Sequence, residues 1–139
     1  MSKELLDTNV DLLDIRKSFE NSPFFSLVGF QVVRLEEGNV KIKLLVRDEL
    51  LNANNTLHGG VHATMLDTIM GMSARSLSKT RCTTINLNVN YLSPTKGGEV
   101  FATGKVLNQG YRIVAAEGEL VDGEGNLLAK ATGTFKLIR

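Results

Sequence analysis

The run from Leu57 to Ala74 is apolar on nearly every side when placed on a helix, and it constrains the fold more than any other part of the chain. A surface helix carries a polar face, so we expect this helix to lie buried with other elements packed around it. Two adjacent glycines, Gly59 and Gly60, stand near its start, and glycine lets a ligand come close to backbone N–H groups. Near its middle lies Asp67, with no Lys or Arg within seven residues on either side.

The spacing of Gly60 and Asp67 predicts how the two positions could act. At ~100° per residue they project from nearly the same helix face, separated by about 10 Å along the axis. N–H groups at a helix N-terminus suit an oxygen that gains negative charge, and a carboxylate suits the activation of water or direct attack. Catalytic contacts need roughly 3 Å, so one carbonyl cannot touch both groups of one chain. If both act on one bond, the spacing predicts a two-fold dimer with sites at the interface.

The same residues also fit a purely structural interpretation. The glycine pair allows close helix packing, and Asp67 can accept hydrogen bonds from backbone or threonine groups in the core. A metal site finds less support: His58 and His62 share one helix face, but no nearby Cys, Glu or Asp completes a ligand set. Because nothing in the sequence pairs Cys82 with a base, we expect that thiol to be inert.

Composition narrows the class of protein. A chain of 139 residues with 42% hydrophobic content is predicted to form one soluble domain, residues 1–139, with an N-terminal helical segment at 1–23. A net charge of +1 gives no reason to expect nucleic acid or a membrane as partner. The single cysteine fits a reducing compartment, and the first seven residues are too charged for a signal peptide. The default location is cytoplasmic.

Most of the remaining chain is predicted to form strands. A loosely helical pattern covers 9–20 and an apolar connector 24–29, and strands are predicted at 30–35, 39–46, 82–92, 99–107, 111–121 and 127–138. In the strand after the helix, one predicted face holds Ile85, Leu87, Val89 and Tyr91, and the other holds Thr84, Asn86, Asn88 and Asn90. Closely spaced hairpins favour an antiparallel sheet. The predicted fold is therefore α+β, with about six strands wrapped around one long central helix.

Two segments together resemble the hotdog-fold acyl-CoA thioesterases, most of all the phenylacetate-degradation (PaaI-type) branch. The first holds Asn52, then His58-Gly59-Gly60, then Asp67, and the second is Thr84-Ile85-Asn86-Leu87-Asn88-Val89-Asn90-Tyr91-Leu92-Ser93-Pro94. The resemblance covers roughly residues 25–138, which is nearly the whole domain. It implies a hotdog fold, and the order of elements predicted above agrees with that fold.

The resemblance also implies a role for each matching residue. Asp67 would be the general base that activates water, or else the nucleophile. The Gly59 N–H would polarise the thioester carbonyl, aided by the helix dipole. Asn52 would help to polarise that carbonyl or order water, Thr84 would orient the attacking water, and His58 would shape the turn before the helix. In the family, the carbonyl-binding pair comes from one subunit and the carboxylate with its threonine from the neighbour, which resolves the separation of about 10 Å.

The predicted function is hydrolysis of an aryl or medium-chain acyl-CoA, with a homodimer as the minimal unit and a homotetramer as the expected assembly. No metal or redox cofactor is expected, and coenzyme A counts as part of the substrate. Methionines adapt to varied acyl shapes, and loop-borne Lys and Arg hold phosphates. The predicted substrate-binding residues are accordingly His58, Gly60, Met65, Met70, Lys96 and Arg112, with Met72, Phe24, Phe25 and Leu27 as further candidates for the acyl pocket.

Two alternative functions remain open. A hotdog hydratase or dehydratase would use a catalytic His with an acidic partner, and His62 with Asp67 could be imagined in that role. Their spacing of five residues places them on different helix faces, which disfavours this alternative. A non-catalytic acyl-CoA-binding protein with the same fold is the other.

Overall fold

The computed structural model describes residues 3–139, with side chains from residue 12 onward. Its elements are α1 (Lys3–Glu20), α2 (Pro23–Val28), β1 (Gln31–Glu36), β2 (Asn39–Leu45), α3 (Gly59–Ser78), β3 (Cys82–Tyr91), β4 (Glu99–Gln109), β5 (Ile113–Asp122) and β6 (Leu127–Leu137). The six strands form one antiparallel sheet in the order β1-β2-β4-β5-β6-β3. The predicted α+β fold, a sheet around one long central helix, is confirmed.

The central helix α3 is as buried as its composition requires. It packs against β2 to β6, and Met65, Leu66 and Ile69 have no exposed surface. The helix continues past Ala74, the last residue of the apolar run, and ends at Ser78, followed by the C-cap residue Lys79 in the left-handed conformation. A polar residue past Ala74 is tolerated because its hydroxyl donates to a carbonyl of the same helix, as Ser76 Oγ does to Ser73 O at 2.7 Å.

The sheet buries one face against α3. In β2, Val40, Ile42 and Leu44 are buried against α3, and the intervening lysines are not buried. Sheet and helix approach closely where β4 crosses α3: a Cβ at Gly104 would lie 2.9 Å from Ile69 O. Only glycine at that position lets the sheet come so near to the helix backbone.

Strand β3 forms one edge of the sheet and contains a bulge that the sequence pattern does not reveal. Its register against β6 shifts between Thr84, which pairs with Phe135, and Asn86, which pairs with Thr134. Directly paired residues share a face of the sheet, so Thr84 points with the buried Phe135 toward α3. The expectation that Thr84 shares a face with the three asparagines was therefore wrong. Alternation breaks because Ile85 is the extra residue of the bulge.

The N-terminal part differs from its prediction in detail. The first helix begins at Lys3, and the expected connector at 24–29 contains a short helix, α2, that begins with Pro23 and ends at the left-handed Gly29. Residues 1–2 of the predicted segment 1–23 lie outside the described residues, as do the side chains of residues 3–11. Phe25 packs edge-on against Phe30 with 5.4 Å between ring centroids, which anchors α2 to the sheet.

Observed strands agree with the predicted ones to within two residues at each end. The larger differences are at the β4–β5 hairpin, where β4 extends to Gln109 and β5 begins only at Ile113. No helix among residues 3–139 combines the length and the apolar character needed to span a membrane.

Candidate active site

The N-terminus of α3 presents one free N–H group. His58 caps the helix: its Nδ1 accepts a hydrogen bond from Gly60 N at 2.7 Å, and its carbonyl oxygen accepts one from Val61 N at 2.8 Å. His62 N also donates to that carbonyl oxygen. Among the described residues, this leaves Gly59 N–H without a hydrogen-bond partner at the positive end of the helix dipole.

Gly59 lines a groove with a volume of about 350 Å³. The groove's wall consists of Asn52, Thr56, Leu57, Gly59, His62, Tyr91, Leu92, Ser93 and Pro94. The Tyr91 ring lies over Gly59, and a Cβ at this glycine would be 3.3 Å from the ring. An oxygen atom that enters the groove can therefore reach the Gly59 N–H, with mostly apolar and aromatic surface beside it.

Asn52 has its side-chain oxygen engaged within the loop before α3. Its Oδ1 accepts hydrogen bonds from Asn54 N at 2.9 Å, Thr56 N at 3.1 Å and Thr56 Oγ1 at 3.2 Å. Because these donors fix which atom is oxygen, the amide Nδ2 is the group left to donate, and it has no partner among the described residues. Asn52 can thus offer a second N–H donor to the groove that holds Gly59.

Asp67 lies farther along α3, half-buried, and its Oδ1 accepts a hydrogen bond from Thr84 Oγ1 at 2.7 Å. None of the ion pairs between described side chains involves this carboxylate. The bulge in β3 makes the contact, because it turns Thr84 toward the helix. The pair leaves Asp67 Oδ2 open to a water molecule or a substrate atom.

The groove and the carboxylate are separate within one chain. Asp67 follows Gly59 by eight positions in α3, a rise of about 12 Å along the helix axis. Neither Asp67 nor Thr84 lines the groove. The structure therefore brings Asn52 and Gly59 together in one place, and the carboxylate and its threonine in another.

Several residues predicted to bind substrate have other surroundings. Gly60 N–H is already bound by His58, and a Cβ at Gly60 would lie 2.9 Å from that imidazole, so this glycine accommodates the cap. Met65 and Met70, like Met72, have no exposed surface because they pack under the sheet, so their side chains are not accessible from the surface of one chain. Phe24, Phe25 and Leu27 belong to α2 and do not line the groove.

The two basic candidates differ in their neighbours. Lys96 lines a surface depression together with Glu99, Asp122 and Glu124, where carboxylates oppose the binding of phosphate. Arg112 instead lines a groove of about 470 Å³ together with Lys136, Arg139, Tyr111 and Thr83, with no acidic residue in its wall. Lys136 and Arg139 lie far from Arg112 in sequence, and the β5–β6 pairing that joins them was not used in the prediction.

Burial shifts the pKa of two titratable side chains, one in α3 and one in β3. Burial raises the pKa of the Cys82 thiol, which keeps it protonated and agrees with the expected inert role. His62 is 3% exposed, and burial lowers its pKa.

In the described part of the chain, no three His, Cys, Asp or Glu side chains gather to form a metal site. Sequence reasoning missed His62 as a groove residue, although its position three residues after Gly59 puts both on one helix face.

Comparison with known proteins agrees with the fold. A family model described as the thioesterase superfamily matches residues 54–129, more than half of the chain. This stretch contains Gly59, Asp67 and Thr84, whereas Asn52 lies just before it. The acyl-coenzyme A thioesterase 13 of Pongo abelii is 32% identical over 109 residues, which cover 76% of this chain and 78% of that protein.

Solved structures show the same architecture. Zebrafish thioesterase superfamily member 2 has a TM-score of 0.80 and 28% identity, with 90% of this chain and 94% of that chain covered. The E. coli PaaI protein from the phenylacetic acid degradation operon has a TM-score of 0.88, with 95% of this chain and 96% of that chain covered. Its identity is 20%, so this likeness concerns the fold alone.

Proposed function

Because the chain belongs to the thioesterase superfamily and is a thioester hydrolase, we propose that its substrate is an aryl or medium-chain acyl-CoA. The observation that carries this proposal is the one unpartnered N–H at the start of α3, that of Gly59, in a groove with apolar and aromatic walls. Leu57, Tyr91 and Leu92 provide surface for an acyl or aryl group. The groove volume, about 350 Å³, suits a group of this size.

Gly59 N–H and Asn52 Nδ2 would form the oxyanion hole. Both donors border the groove, and both lack partners among the described residues. As water attacks the thioester carbonyl, its oxygen gains negative charge, which these donors and the helix dipole stabilise. Collapse of the tetrahedral intermediate breaks the C–S bond, releases the coenzyme A thiolate and leaves the free acid.

Asp67 would activate the attacking water. Thr84 holds Oδ1 at 2.7 Å, so Oδ2 is directed to the water and removes its proton as the oxygen attacks the carbonyl carbon. Direct attack by Asp67 Oδ2, with an anhydride as intermediate, is the second route. In single turnover in ¹⁸O-labelled water, an unlabelled first acid product with the label in Asp67 identifies direct attack, because it requires water to break the anhydride at the Asp67 carboxyl carbon.

The two halves of this site would come from two copies of the chain, since about 12 Å of helix separates them in one copy. Edge strand β3 supports such a dimer. It is ten residues long, its outer edge is unpaired in the described sheet, and Ile85, Tyr91 and Leu92 nearby are each more than half exposed. A long edge strand with exposed apolar side chains is a ready surface for pairing with a second copy.

The basic groove around Arg112 would hold the phosphates of coenzyme A. Three cations, Arg112, Lys136 and Arg139, line it. The Arg139 guanidinium lies over one face of the exposed Tyr111 ring, so an adenine base would stack on the other face. Thr83 belongs to this groove and its neighbour Thr84 contacts Asp67, so both lie at one end of β3. They are on opposite faces of the sheet, so the flexible pantetheine arm would have to reach from one face to the other past the end of β3, since the edge of this strand would be paired with the second copy.

The geometry of the site disfavours the hydratase alternative. His62 lines the groove, whereas Asp67 does not, so the two do not form an acid–base pair within one chain. The binding-protein alternative is separated from hydrolysis by experiment. We expect the purified chain to release free thiol from hexanoyl-CoA or phenylacetyl-CoA, detected with a thiol reagent.

Asp67→Asn is the matched variant for this test. It should still bind these thioesters, measured by calorimetry, while kcat falls by at least about 100-fold, since a positioned base contributes 10²–10⁴-fold. Asp48→Asn, at an exposed site before α3, is the control and should leave kcat unchanged. No thiol release from any acyl-CoA by the unmodified chain, with binding retained, would identify a binding protein instead.

A further inference from the structure

A separate pocket, with a volume of about 320 Å³, lies where the end of α1 meets the end of α3. Arg75 of α3 and Arg81, which precedes β3, line this pocket together with the hydroxyl-bearing Ser18 and Ser22. Among the described residues, no Asp or Glu belongs to its wall. None of its residues lines the groove that holds Gly59, so the pocket is distinct from that groove.

The two guanidinium groups of the pocket are not balanced by a carboxylate. None of the ion pairs between described side chains involves Arg75 or Arg81. Burial lowers the pKa of Arg75, and the nearby charge of Arg81 lowers it further, so the two cations repel each other. Burial of a charge is costly unless an opposite charge balances it, and a bound anion would remove both costs.

Hydrogen-bond donors for such an anion remain free. Arg75 Nη1 donates to Ser18 Oγ at 3.1 Å, and Arg75 Nε is enclosed. Arg75 Nη2 has no partner among the described residues and is not enclosed, so a ligand can reach it. The Ser22 hydroxyl does not cap the helix α2 that follows it, and Arg81 is exposed. Guanidinium groups match phosphate oxygens in geometry, since two N–H groups can donate to one phosphate.

The rest of the wall offers apolar surface beside these donors. The Arg75 guanidinium lies over the Phe19 ring, 5.8 Å from its centroid, and Ile138 is the other apolar residue that lines the pocket. Cavities of about 300 Å³ and more hold small organic ligands, so there is room for more than a bare ion.

The pocket is also distinct from the Arg112 groove. Cys82 lines the pocket and pairs with the buried Leu137, so it faces α3. Thr83, the next residue of β3, points to the opposite face of the sheet and lines the Arg112 groove. Only Ile138, just beyond the end of β6, belongs to both walls.

We propose that this pocket binds a phosphate monoester, with the phosphate between Arg75 and Arg81 and the organic group against Phe19 and Ile138. A phosphate monoester carries close to two negative charges at neutral pH, which matches the two cations. A carboxylate carries one negative charge and would leave one cation unbalanced. Two sources can supply such a group: the ribose phosphate of coenzyme A, or a free phosphorylated compound.

Cys82 reports on the pocket that it lines, because it is the only cysteine of the chain. Burial raises the pKa of its thiol, and the charge of Arg75 opposes that rise. A phosphate bound at Arg75 should therefore raise the thiol pKa further and slow alkylation by iodoacetamide, a neutral reagent. The test uses phenyl phosphate as the probe, with the alkylation rate measured against pH by mass spectrometry and the dissociation constant measured by calorimetry. Phenol, which lacks the phosphate, should neither bind nor slow alkylation.

Two substitutions separate a site from general charge. Arg81→Gln removes a cation of the pocket, and Lys105→Gln removes one on the exposed face of β4. We expect Arg81→Gln to weaken the binding of phenyl phosphate ~10–100-fold, the effect of a lost hydrogen bond to a charged group, and Lys105→Gln to leave it nearly unchanged. Arg75→Gln should weaken binding at least as much, with circular dichroism as the check that this variant is folded.

Two further probes identify the source of the phosphate. Thiol-methylated coenzyme A and its dephospho form differ only in the ribose phosphate. Slower Cys82 alkylation with the first form alone, lost in Arg81→Gln, identifies coenzyme A as the source. Slower alkylation with phenyl phosphate but with neither form identifies a free phosphate monoester. Equal protection by both forms points to the diphosphate and overturns a monoester site.

The remaining outcomes also overturn the proposal. If phenyl phosphate does not bind, or if Arg81→Gln and Lys105→Gln weaken it alike, the two arginines are ordinary solvated cations. Binding that leaves the alkylation of Cys82 unchanged places the ligand elsewhere on the chain. Release of free thiol from an acyl-CoA by the unmodified chain is a separate measurement, so the hydrolase function stands or falls independently of this pocket.

Discussion

Thr84 Oγ1 donates a hydrogen bond of 2.7 Å to Asp67 Oδ1, and this contact depends on one extra residue in β3. Without the bulge at Ile85, strict alternation would turn Thr84 away from α3, to the face of the three asparagines. The bulge thus decides whether the carboxylate has a partner. Bulges occur often beside active sites, where they redirect a side chain.

Removal of the Thr84 hydroxyl should impair turnover more than binding. We expect Thr84→Val to lower kcat ~10–100-fold with little change in KM, because a hydrogen bond to a charged group is worth about 1.5–3 kcal/mol. Thr84→Ser, which keeps the hydroxyl, should remain within a few-fold of the unmodified enzyme. Thr103→Val on the exposed face of β4 is the control. Equal kcat and KM for Thr84→Val and Thr103→Val would show that the Thr84 hydroxyl has no role in catalysis.

Two inactive variants should restore activity when they share a dimer. Gly59→Val fills the groove beneath Tyr91, and Asp67→Asn removes the base, so each homodimer should be nearly inactive. In a mixed dimer, one of the two sites receives an intact Gly59 and an intact Asp67. Random exchange at equal amounts makes half of the dimers mixed, so thiol release should reach about 25% of the unmodified level.

The control for that experiment is the composition of the mixture. Native mass spectrometry counts the mixed dimers, and circular dichroism shows whether Gly59→Val is folded. Mixed dimers present at the expected level without recovered activity would show that both groups act within one chain, and the two-copy site would have to be abandoned.

The Arg112 groove should matter only for substrates that carry the nucleotide. Arg112→Gln is expected to raise KM for hexanoyl-CoA by ~10-fold at low salt with kcat unchanged, because it removes binding that is equal in ground and transition states. The rise should shrink as salt screens the interaction. The N-acetylcysteamine thioester of hexanoic acid lacks phosphates and should show no change.

Lys105→Gln, which removes an exposed cation of β4, is the control for net charge. If Arg112→Gln and Lys105→Gln raise KM alike, the effect comes from overall charge and not from a phosphate site. If Arg112→Gln affects the short thioester equally, the arginine acts on the fold of the site.

Sequence patterns predicted the central helix and the fold around it because buried positions are mostly occupied by apolar residues. Val40, Ile42 and Leu44 alternate with lysines, and the helix is apolar all round. The same property hides detail: when every face of a helix is apolar, Met65 and Met70 under the sheet look the same as residues beside a groove. Hydrophobicity alone could not separate them.

Features of the site that depend on pairing in space were beyond the sequence. The Thr84 side chain faces α3 only because of the bulge in β3, and an alternating pattern of residues cannot reveal an inserted residue. The choice between Gly59 and Gly60 depends on which N–H group His58 occupies. The resemblance to a known family supplied Gly59, and the capping contact gives a physical reason for that choice.

A methyl group at Gly104 should destabilise the fold. The added Cβ would overlap Ser73 Oγ and lie 2.9 Å from Ile69 O, where the helix backbone cannot yield. We expect Gly104→Ala to lower the free energy of unfolding by about 1–3 kcal/mol, as overpacking does. Urea titration followed by circular dichroism measures it. Gly97→Ala has open space around its Cβ and should change stability little; equal stability of the two variants would contradict the close packing.

Stability should depend on pH through His62. Burial lowers its pKa below the ordinary 6.5 in the folded chain, whereas the unfolded chain exposes the imidazole, so the unfolded state binds more protons as the pH falls through and below 6.5. The free energy of unfolding should therefore decrease from pH 7 toward pH 5. His62→Phe removes this contribution, and the difference in unfolding free energy between the two proteins should vary with pH in that window. A constant difference in urea titrations at pH 5, 6 and 7 would mean that the imidazole titrates alike in both states, and that its burial carries no cost.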